Sequence, residues 1–168
     1  DEIAAVAAVD LETAEKAVAL IKVEYEELPA VFTIEDAMAP GAPQLHEKFP
    51  GNKCAEVHQE FGDVAAAFKA CDLIKTTTVK SKRQDGGFIE TQGCIAETDH
   101  AGNLTLTSST QVPHYVQRTV AMVLGLDVGK VRVMKPYVGA GFGIKAAANP
   151  MELACCLLAI KTGKPVKM

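Results

Sequence analysis

The sequence lacks the features that mark several large classes of protein. Its densest group of basic residues is Lys80-Ser81-Lys82-Arg83, and the 168 residues carry a net charge of −4. Such a chain offers no electrostatic surface suited to nucleic acid or to an anionic membrane. It also has no apolar run long enough to cross a bilayer and no basic-then-apolar start typical of a signal peptide. We therefore expect a soluble, cytoplasmic protein with neither a nucleic-acid nor a membrane partner.

Metal-binding side chains are scarce and unfavourably spaced. The cysteines form no Cys-x-x-Cys pair and the scattered histidines have no zinc spacing, so we predict no protein-ligated metal. Buried, reduced thiols are the expected state of the cysteines. An iron–sulfur cluster needs about four suitably spaced thiolates, so any such centre should lie on another segment or chain. The residues concerned are Cys54, Cys71, Cys94, Cys155 and Cys156, with His46, His58, His100 and His114.

What the sequence contains is typical of a globular protein. It is 48% hydrophobic and 23% charged, without a low-complexity tract. The length suits one compact unit, or one unit together with a piece of another. The first residue is Asp1 rather than Met, and the residues after it resemble the middle of a strand. We expect an internal fragment of a larger protein, although processing is an alternative explanation.

The first part of the chain has a β-α-β pattern. Residues 3–9 form an apolar run predicted to be a strand, and Asp10 is a suitable N-cap for a helix beginning at Leu11. Residues 22–28 alternate polar and apolar side chains, as a second strand would. Residues 39–53 are rich in proline and glycine, which is typical of a connection. We therefore predict two domains, 1–48 and 49–168.

The second part mixes strands and helices without strict alternation, which favours an α+β fold. A turn-rich segment at 99–103 predicts a hairpin, and Asn149-Pro150 predicts a helix start with Glu152 completing a capping box. The predicted strands are 73–80, 88–98, 104–109 and 131–138; the predicted helices begin near Asp63, Pro113 and Asn149, and the last two end at Gly125 and Gly163.

The glycine-rich stretch 139–143 is the most informative local feature, since closely spaced glycines let a ligand approach backbone N–H groups. It matches two familiar templates poorly. Ile144 stands where the dinucleotide fingerprint needs its third glycine, and Ala146 follows Lys145 where a P-loop needs Ser or Thr. A second strand-to-helix junction, Ser109-Thr110-Gln111, could direct a side-chain amide at the same ligand.

Several segments together resemble one family in both order and spacing. They are Phe88-Ile89-Glu90-Thr91, Ser109-Thr110-Gln111, Leu124-Gly125-Leu126 and the stretch from Val131 to Lys145, preceded by residues 24–31 and 43–47. They resemble the molybdenum hydroxylases of the xanthine dehydrogenase/aldehyde oxidase family, in their molybdopterin-binding large subunit. The resemblance covers nearly the whole chain. It implies the end of an α/β hammerhead domain over 1–48, followed by the first part of a molybdopterin-binding domain with a mixed sheet and flanking helices.

The resemblance also implies a site. Gln111 corresponds to the family's glutamine beside the molybdenum oxo group, and Phe142-Gly143 to the backbone that approaches the metal and its pterin dithiolene. Both are donor roles. The cofactor-binding residues implied are Gln111, Gly139, Ala140, Gly141, Phe142 and Gly143.

The activity implied is hydroxylation of an aldehyde or an N-heterocycle, purine-like or aromatic, with water as the oxygen source. The family's general base is a late glutamate, expected beyond Met168, so no catalytic residue is assigned here and the fragment alone should be inactive. The cofactor is molybdopterin, with the cytosine dinucleotide form left open. 2Fe-2S clusters and FAD are expected on other segments or subunits. The expected partners of this chain are those segments or subunits, the rest of the molybdenum subunit and a small-molecule substrate.

Three departures from the family pattern bear on the substrate and the site. Ala140 replaces a usual third glycine, and Asp85-Gly86 replaces a common Glu-His. Ala146 stands where purine-oxidising members carry a substrate-binding glutamate, which argues against a purine. Glu90 is expected to be a surface or hydrogen-bonded structural residue. Two other functions remain open: a non-catalytic interaction module of the same fold, and a small phosphate- or nucleotide-binding protein that uses the glycine loop.

Overall fold

The computed structural model describes residues 2–168. Contacts within the chain group the residues up to 22 with 82–168 as one unit and leave 23–81 as a second unit. The predicted boundary between residues 48 and 49 stays a prediction. The helices are α1 (Leu11–Val18), α2 (Ile34–Ala37), α3 (Val64–Lys69), α4 (Pro113–Leu124) and α5 (Pro150–Thr162); the strands are β1 (Cys94–Thr98), β2 (Leu104–Ser108), β3 (Val131–Met134) and β4 (Val166–Lys167); short 3₁₀ turns occupy Pro50–Asn52 and Val128–Lys130.

The first unit is built on a mixed sheet with strand order β3-β2-β1-β4. β1 is antiparallel to both β2 and β4, whereas β2 and β3 are parallel and are joined through α4. The predicted hairpin links β1 and β2, and the Asp99 carboxylate closes its turn by accepting from the backbone of Ala101 and Asn103. The mixed sheet with helices fits the α+β class that the sequence predicts.

The core of this unit lies between the sheet and the helices α4 and α5. Leu104 and Leu106 on β2 are fully buried, and burial of each such side chain contributes about 1.5–3 kcal/mol. On α5 the buried apolar residues are small, so this helix can pack close to the strands. The core residues are Cys94, Ala96, Leu104, Leu106, Val116, Val120, Ala121, Val131, Cys155, Cys156 and Ala159.

The ends of α4 and α5 follow the signals in the sequence. α4 starts at Pro113 and stops at Gly125, which adopts a left-handed conformation with φ 66°. α5 is preceded by Asn149, whose backbone N–H donates to the Glu152 carboxylate at 2.8 Å, and it stops at the left-handed Gly163. These caps satisfy polar groups that a helix leaves unpaired at its ends. The predicted positions of both helices are confirmed.

The second unit, residues 23–81, contains short helices joined by extended chain. Thr33 and Asp63 cap α2 and α3 through their side chains. The Asn52 amide ties the connection together: it donates to the carbonyls of Ala37 and Pro43 and accepts from the Leu45 N–H. Cys54 and Cys71 in this unit are exposed, so the expectation of buried thiols is wrong for these two.

Three predicted strands are absent from the residues that the structure describes. Segments 3–9, 22–28 and 73–80 contain no strand, and β1 and β3 are shorter than the predicted strands 88–98 and 131–138. A strand is defined by inter-strand hydrogen bonds as well as by side-chain alternation, and these segments have no pairing partner here. Over residues 2–168, no helix has the length and apolar character needed to cross a membrane.

Candidate functional site

The two sequence features singled out above lie beyond neighbouring strand ends. Gln111 follows the end of β2, and the glycine loop 139–143 follows the end of β3. Because β2 and β3 are adjacent and parallel, their carboxyl ends meet at one edge of the sheet, where open sheets commonly bind ligands. The topology therefore explains why two segments about thirty residues apart form one site.

Gln111 is hydrogen-bonded directly to the glycine loop. Its Oε1 accepts from the N–H of Gly143 at 3.0 Å, and its backbone N–H donates to the carbonyl of Lys145 at 2.9 Å. Because the amide oxygen of Gln111 accepts from Gly143, the Nε2 group of Gln111 is the part of the side chain that can donate to a ligand. The side chain is exposed, so this donor is accessible to a ligand.

Gly141 is required by its contact with Gln111. A β-carbon placed on Gly141 would lie 2.9 Å from Cδ and 3.2 Å from Cγ of Gln111, closer than side chains pack. Any larger residue at this position would displace the Gln111 amide. The glycine therefore makes room for a protein side chain, which the sequence pattern alone did not indicate.

The centre of the loop is a turn with two left-handed residues. The N–H of Ile144 donates to the carbonyl of Gly141 at 2.9 Å, and between them Phe142 and Gly143 have φ values of 46° and 87°. A left-handed conformation disfavours a non-glycine residue by about 1–2 kcal/mol. The Phe142 ring is 71% exposed, so burial of the ring does little to offset this strain.

Some backbone N–H groups of the loop donate to other parts of the protein, and others have no protein acceptor. Gly139 donates to Glu90 Oε2 at 2.9 Å, and Gly143 donates to Gln111. Among residues 2–168, the N–H groups of Gly141 and Phe142 have no protein acceptor. In this structure the Gly143 N–H donates to Gln111, and its predicted role towards a cofactor stays a prediction. The Ala140 N–H faces the Glu90 carboxylate, so the donors that remain are those of Gly141, Phe142 and the Gln111 amide.

Glu90 and Lys145 form an ion pair that sequence reasoning missed. Lys145 Nζ lies 2.6 Å from Glu90 Oε2, the lysine is fully buried and the Glu90 side chain is 33% exposed. The hydrogen bond from Lys145 holds the pKa of the Glu90 carboxyl below its ordinary value; desolvation opposes this in part, and the Gly139 N–H adds a smaller lowering. The partners are 55 residues apart, so no local pattern signals them.

A shallow cleft of about 440 Å³ opens beside the loop. Its walls are mostly apolar, with the Glu90 carboxylate as the charged group. Within the described residues, no cluster of three or more His, Cys, Asp or Glu side chains could hold a metal ion. The lining residues are Gly87, Ile89, Glu90, Gly139, Ala140 and Phe142.

The family model of the molybdopterin cofactor-binding domain matches residues 45–168. The chain is 40% identical over its whole length to the nicotinate dehydrogenase large molybdopterin subunit of Eubacterium barkeri, of which it covers 39%. It is 34% identical, again over its whole length, to the xanthine dehydrogenase molybdenum-binding subunit of Escherichia coli O157:H7, of which it covers 22%. The chain thus spans well under half the length of these relatives.

Solved structures give the same result. The quinoline 2-oxidoreductase of Pseudomonas putida 86 matches 93% of this chain with a TM-score of 0.82 and 34% identity, over 20% of its own length. The aldehyde oxidoreductase of Desulfovibrio gigas matches with a TM-score of 0.74 and 25% identity, over 17% of its length. The chain belongs to the molybdopterin cofactor-binding domain family, and the predicted resemblance to the large subunits of molybdenum hydroxylases is confirmed.

Proposed function

We propose that this chain forms one wall of the molybdopterin site in the large subunit of a molybdenum-dependent hydroxylase or dehydrogenase. The observation that carries the proposal is the hydrogen bond from Gly143 to Gln111, which joins two ligand-facing segments into one donor surface. Molybdopterin presents oxygen and sulfur atoms that accept hydrogen bonds. Three donors on this surface have no protein acceptor among residues 2–168: the Gln111 Nε2 and the N–H groups of Gly141 and Phe142. The residues fit such a group.

Each residue of the proposed site has a separate part. Gln111 donates through Nε2, Gly141 and Phe142 donate through the backbone, and Gly143 orients Gln111. Gly139 and Ala140 line the cleft, and Gly139 also fixes the start of the loop through Glu90. When bound, the cofactor supplies the redox chemistry. The chain's own residues hold and orient it, and we assign no catalytic residue to them; the resemblance implies a glutamate from a late segment of the large subunit as the base.

The proposed substrate is an N-heterocycle or an aldehyde, hydroxylated with oxygen from water. Nicotinate, xanthine and quinoline, named in three of the relatives, are all N-heterocycles, which favours that class. Ala146 favours a heterocycle other than a purine, since a methyl group cannot make the hydrogen bonds of the glutamate found in purine-oxidising members. The aldehyde class is supported by the Desulfovibrio gigas enzyme.

Further parts of the assembly belong to the same proposal. We place the end of a hammerhead domain at residues 1–48, with 2Fe-2S and FAD centres on other segments or subunits. The Eubacterium barkeri relative is named as a large subunit, which supports an enzyme of several chains. The cofactor would be molybdopterin, with the cytosine dinucleotide form an option, in a cytoplasmic enzyme.

The test is the cofactor content of the complete protein from a host that makes molybdopterin. We expect molybdenum and pterin in the purified wild type, and at least about a tenfold loss in Gln111→Ala, because a buried cofactor needs several convergent polar groups. Gln92→Ala is the matched control, since Gln92 is a half-buried glutamine away from the glycine loop in the sequence. Wild-type protein without pterin would contradict the proposal and favour a non-catalytic interaction module.

The phosphate-binding alternative is weakened by Lys145. In a P-loop the lysine reaches the phosphates, whereas here Nζ is buried and bonded to Glu90. Titration with a nucleotide, followed by the fluorescence of a labelled analogue, tests this alternative. We expect no saturable binding.

A further inference from the structure

Lys145 is a fully buried cation, and the hydrogen bonds of its side chain all go to residues 90 and 91. Its Nζ lies 2.6 Å from Glu90 Oε2, 2.9 Å from the Glu90 carbonyl and 3.5 Å from the Thr91 carbonyl. It also stands 4.8 Å from the centre of the Phe88 ring. A buried charge is tolerated only when it is paired and hydrogen-bonded. Residues 88–91 supply both the paired carboxylate and the hydrogen-bond acceptors, so they hold the Lys145 side chain in place.

The Glu90 carboxylate also holds the other end of the glycine loop. Its Oε2 accepts from the Gly139 N–H at 2.9 Å while it binds Lys145. Gly139 opens the loop and Lys145 follows its end by two residues. A single oxygen atom therefore closes the segment 139–145 into a ring.

The backbone of Lys145 reaches the second half of the site. Its carbonyl accepts from the Gln111 N–H at 2.9 Å and from the hydroxyl of Thr110 at 3.2 Å, and Thr110 is buried. Lys145 therefore contacts the Gln111 segment through its main chain and the loop start through Glu90. The two ligand-facing segments meet at this residue.

We propose that Lys145 and Glu90 are positioning residues: their ion pair sets the loop 139–143 and Gln111 in the arrangement that receives the cofactor. This inference rests on the proposed function. Lys145 and Glu90 contact the groups that bind the cofactor, and we assign them no contact with the cofactor itself.

The loop needs such an anchor because it has little else to hold it. The Phe142 ring is 71% exposed, and both Phe142 and Gly143 adopt positive φ. Hydrogen bonds therefore maintain the conformation, and the bond at Gly139 depends directly on where Lys145 holds Glu90. Loss of either charged partner should release the loop start and loosen Gln111.

The test measures amide hydrogen exchange in the complete protein, prepared in a host that makes no molybdopterin. The variants are Lys145→Met, which keeps a long unbranched side chain without the charge, and Glu90→Gln, which keeps the shape of the glutamate. We expect roughly tenfold faster exchange in peptides covering 139–145 and 110–112, since a lost hydrogen bond raises the population of the open state by about that factor. Unchanged exchange in both peptides would overturn the proposal.

A buried carboxylate elsewhere in the same unit provides the matched control. Glu152 is 1% exposed, bonds the Ser108 hydroxyl and caps α5, but does not touch the loop. Glu152→Gln should lower the melting temperature and leave loop exchange as in the wild type. If it accelerates the loop peptides as much as Glu90→Gln does, the effect is general destabilisation and the proposal is wrong.

The double variant Lys145→Met/Glu90→Gln separates positioning from the penalty of an unpaired buried charge. It contains neither charge, so the melting temperature should recover towards the wild-type value. Loop exchange should stay fast, and molybdopterin retained after expression in a producing host should fall by at least about tenfold. Recovery of slow exchange together with the melting temperature would overturn the proposal. Absence of pterin from the wild type would instead contradict the proposed function and leave the exchange result intact.

Discussion

The side chain of Gln111 occupies the space beside Gly141 that a β-carbon would need, with Cδ 2.9 Å from that position. The glycine and the amide are therefore one structural unit. In many loops a glycine is needed because a ligand lies close to the backbone. Here the Gln111 side chain already requires glycine at position 141.

Gly141→Ala should displace the Gln111 amide and break its bond to Gly143. Because Gln111 is exposed and can swing into solvent, we expect only about 1 kcal/mol of destabilisation, with a much larger loss of bound molybdopterin. The measurement is pterin content beside urea unfolding. Gly93→Ala is the control, since its β-carbon would meet only the Met168 carbonyl, at an ordinary 3.7 Å.

Adding Gln111→Ala to Gly141→Ala removes the clash. The double variant should therefore be more stable than the sum of the two single effects implies, as expected for residues in direct contact. Additive stability changes would show that the two side chains do not compete for the same space.

Gly143→Ala tests strain without a clash. Gly143 has φ 87° and nothing lies within 4 Å of where its β-carbon would be, so the change penalises the backbone conformation alone. We expect a loss of about 1–2 kcal/mol in unfolding free energy, localised to the loop. Hydrogen exchange of the peptide covering 139–145 checks it. Protection equal to that of the wild type would mean that the turn can relax freely.

The parts of the fold that the sequence predicts well depend on short-range signals. The hairpin at 99–103, the proline and glycine limits of α4 and the Asn149–Glu152 cap each involve residues a few positions apart. Segment 3–9 is an apolar run and segment 22–28 alternates polar and apolar residues, but a strand also requires a pairing partner that neither pattern reveals.

The buried face of α5 shows another limit. Leu157 and Ile160 are 41% and 40% exposed, whereas the smaller Cys155, Cys156 and Ala159 are buried. The helix is apolar on every side, so periodicity does not select a face. The small residues face the sheet because they permit close packing. The Glu90–Lys145 pair was unpredictable for a different reason, since its partners come together only after the loop and the strands have formed.

Thiol labelling should separate the two units of the chain. Burial raises the pKa of Cys156 to about 12, and the hydrogen bond to Cys155 together with burial raises the pKa of Cys94. Against the ordinary value of 9.0, the thiolate population of Cys156 is lower by about 10³-fold, and only the thiolate reacts readily. Iodoacetamide at neutral pH should label the exposed Cys54 and Cys71 first, as read by peptide mass spectrometry.

The control for this labelling is the same reaction in urea, where all five cysteines should react at similar rates. Early labelling of Cys156 in the native protein would show that α5 leaves the sheet more readily than its buried contacts indicate.

Glu90 gives the protein a specific dependence on pH. Lys145 holds the folded-state pKa of Glu90 below 4.5, so the folded state binds its proton less readily than the unfolded chain does. The stabilisation is therefore fully present above the ordinary carboxyl range, and it is lost as the pH falls through the lower folded-state pKa. In urea unfolding between about pH 3 and pH 6, the stability difference between wild type and Glu90→Gln should be constant at the upper end and shrink towards the lower end. Glu26→Gln, at an exposed position, should show a difference near zero throughout. A Glu90→Gln difference that grows as the pH falls would mean that the carboxyl is protonated in the folded protein, and the ion pair with Lys145 would then not be what holds the loop.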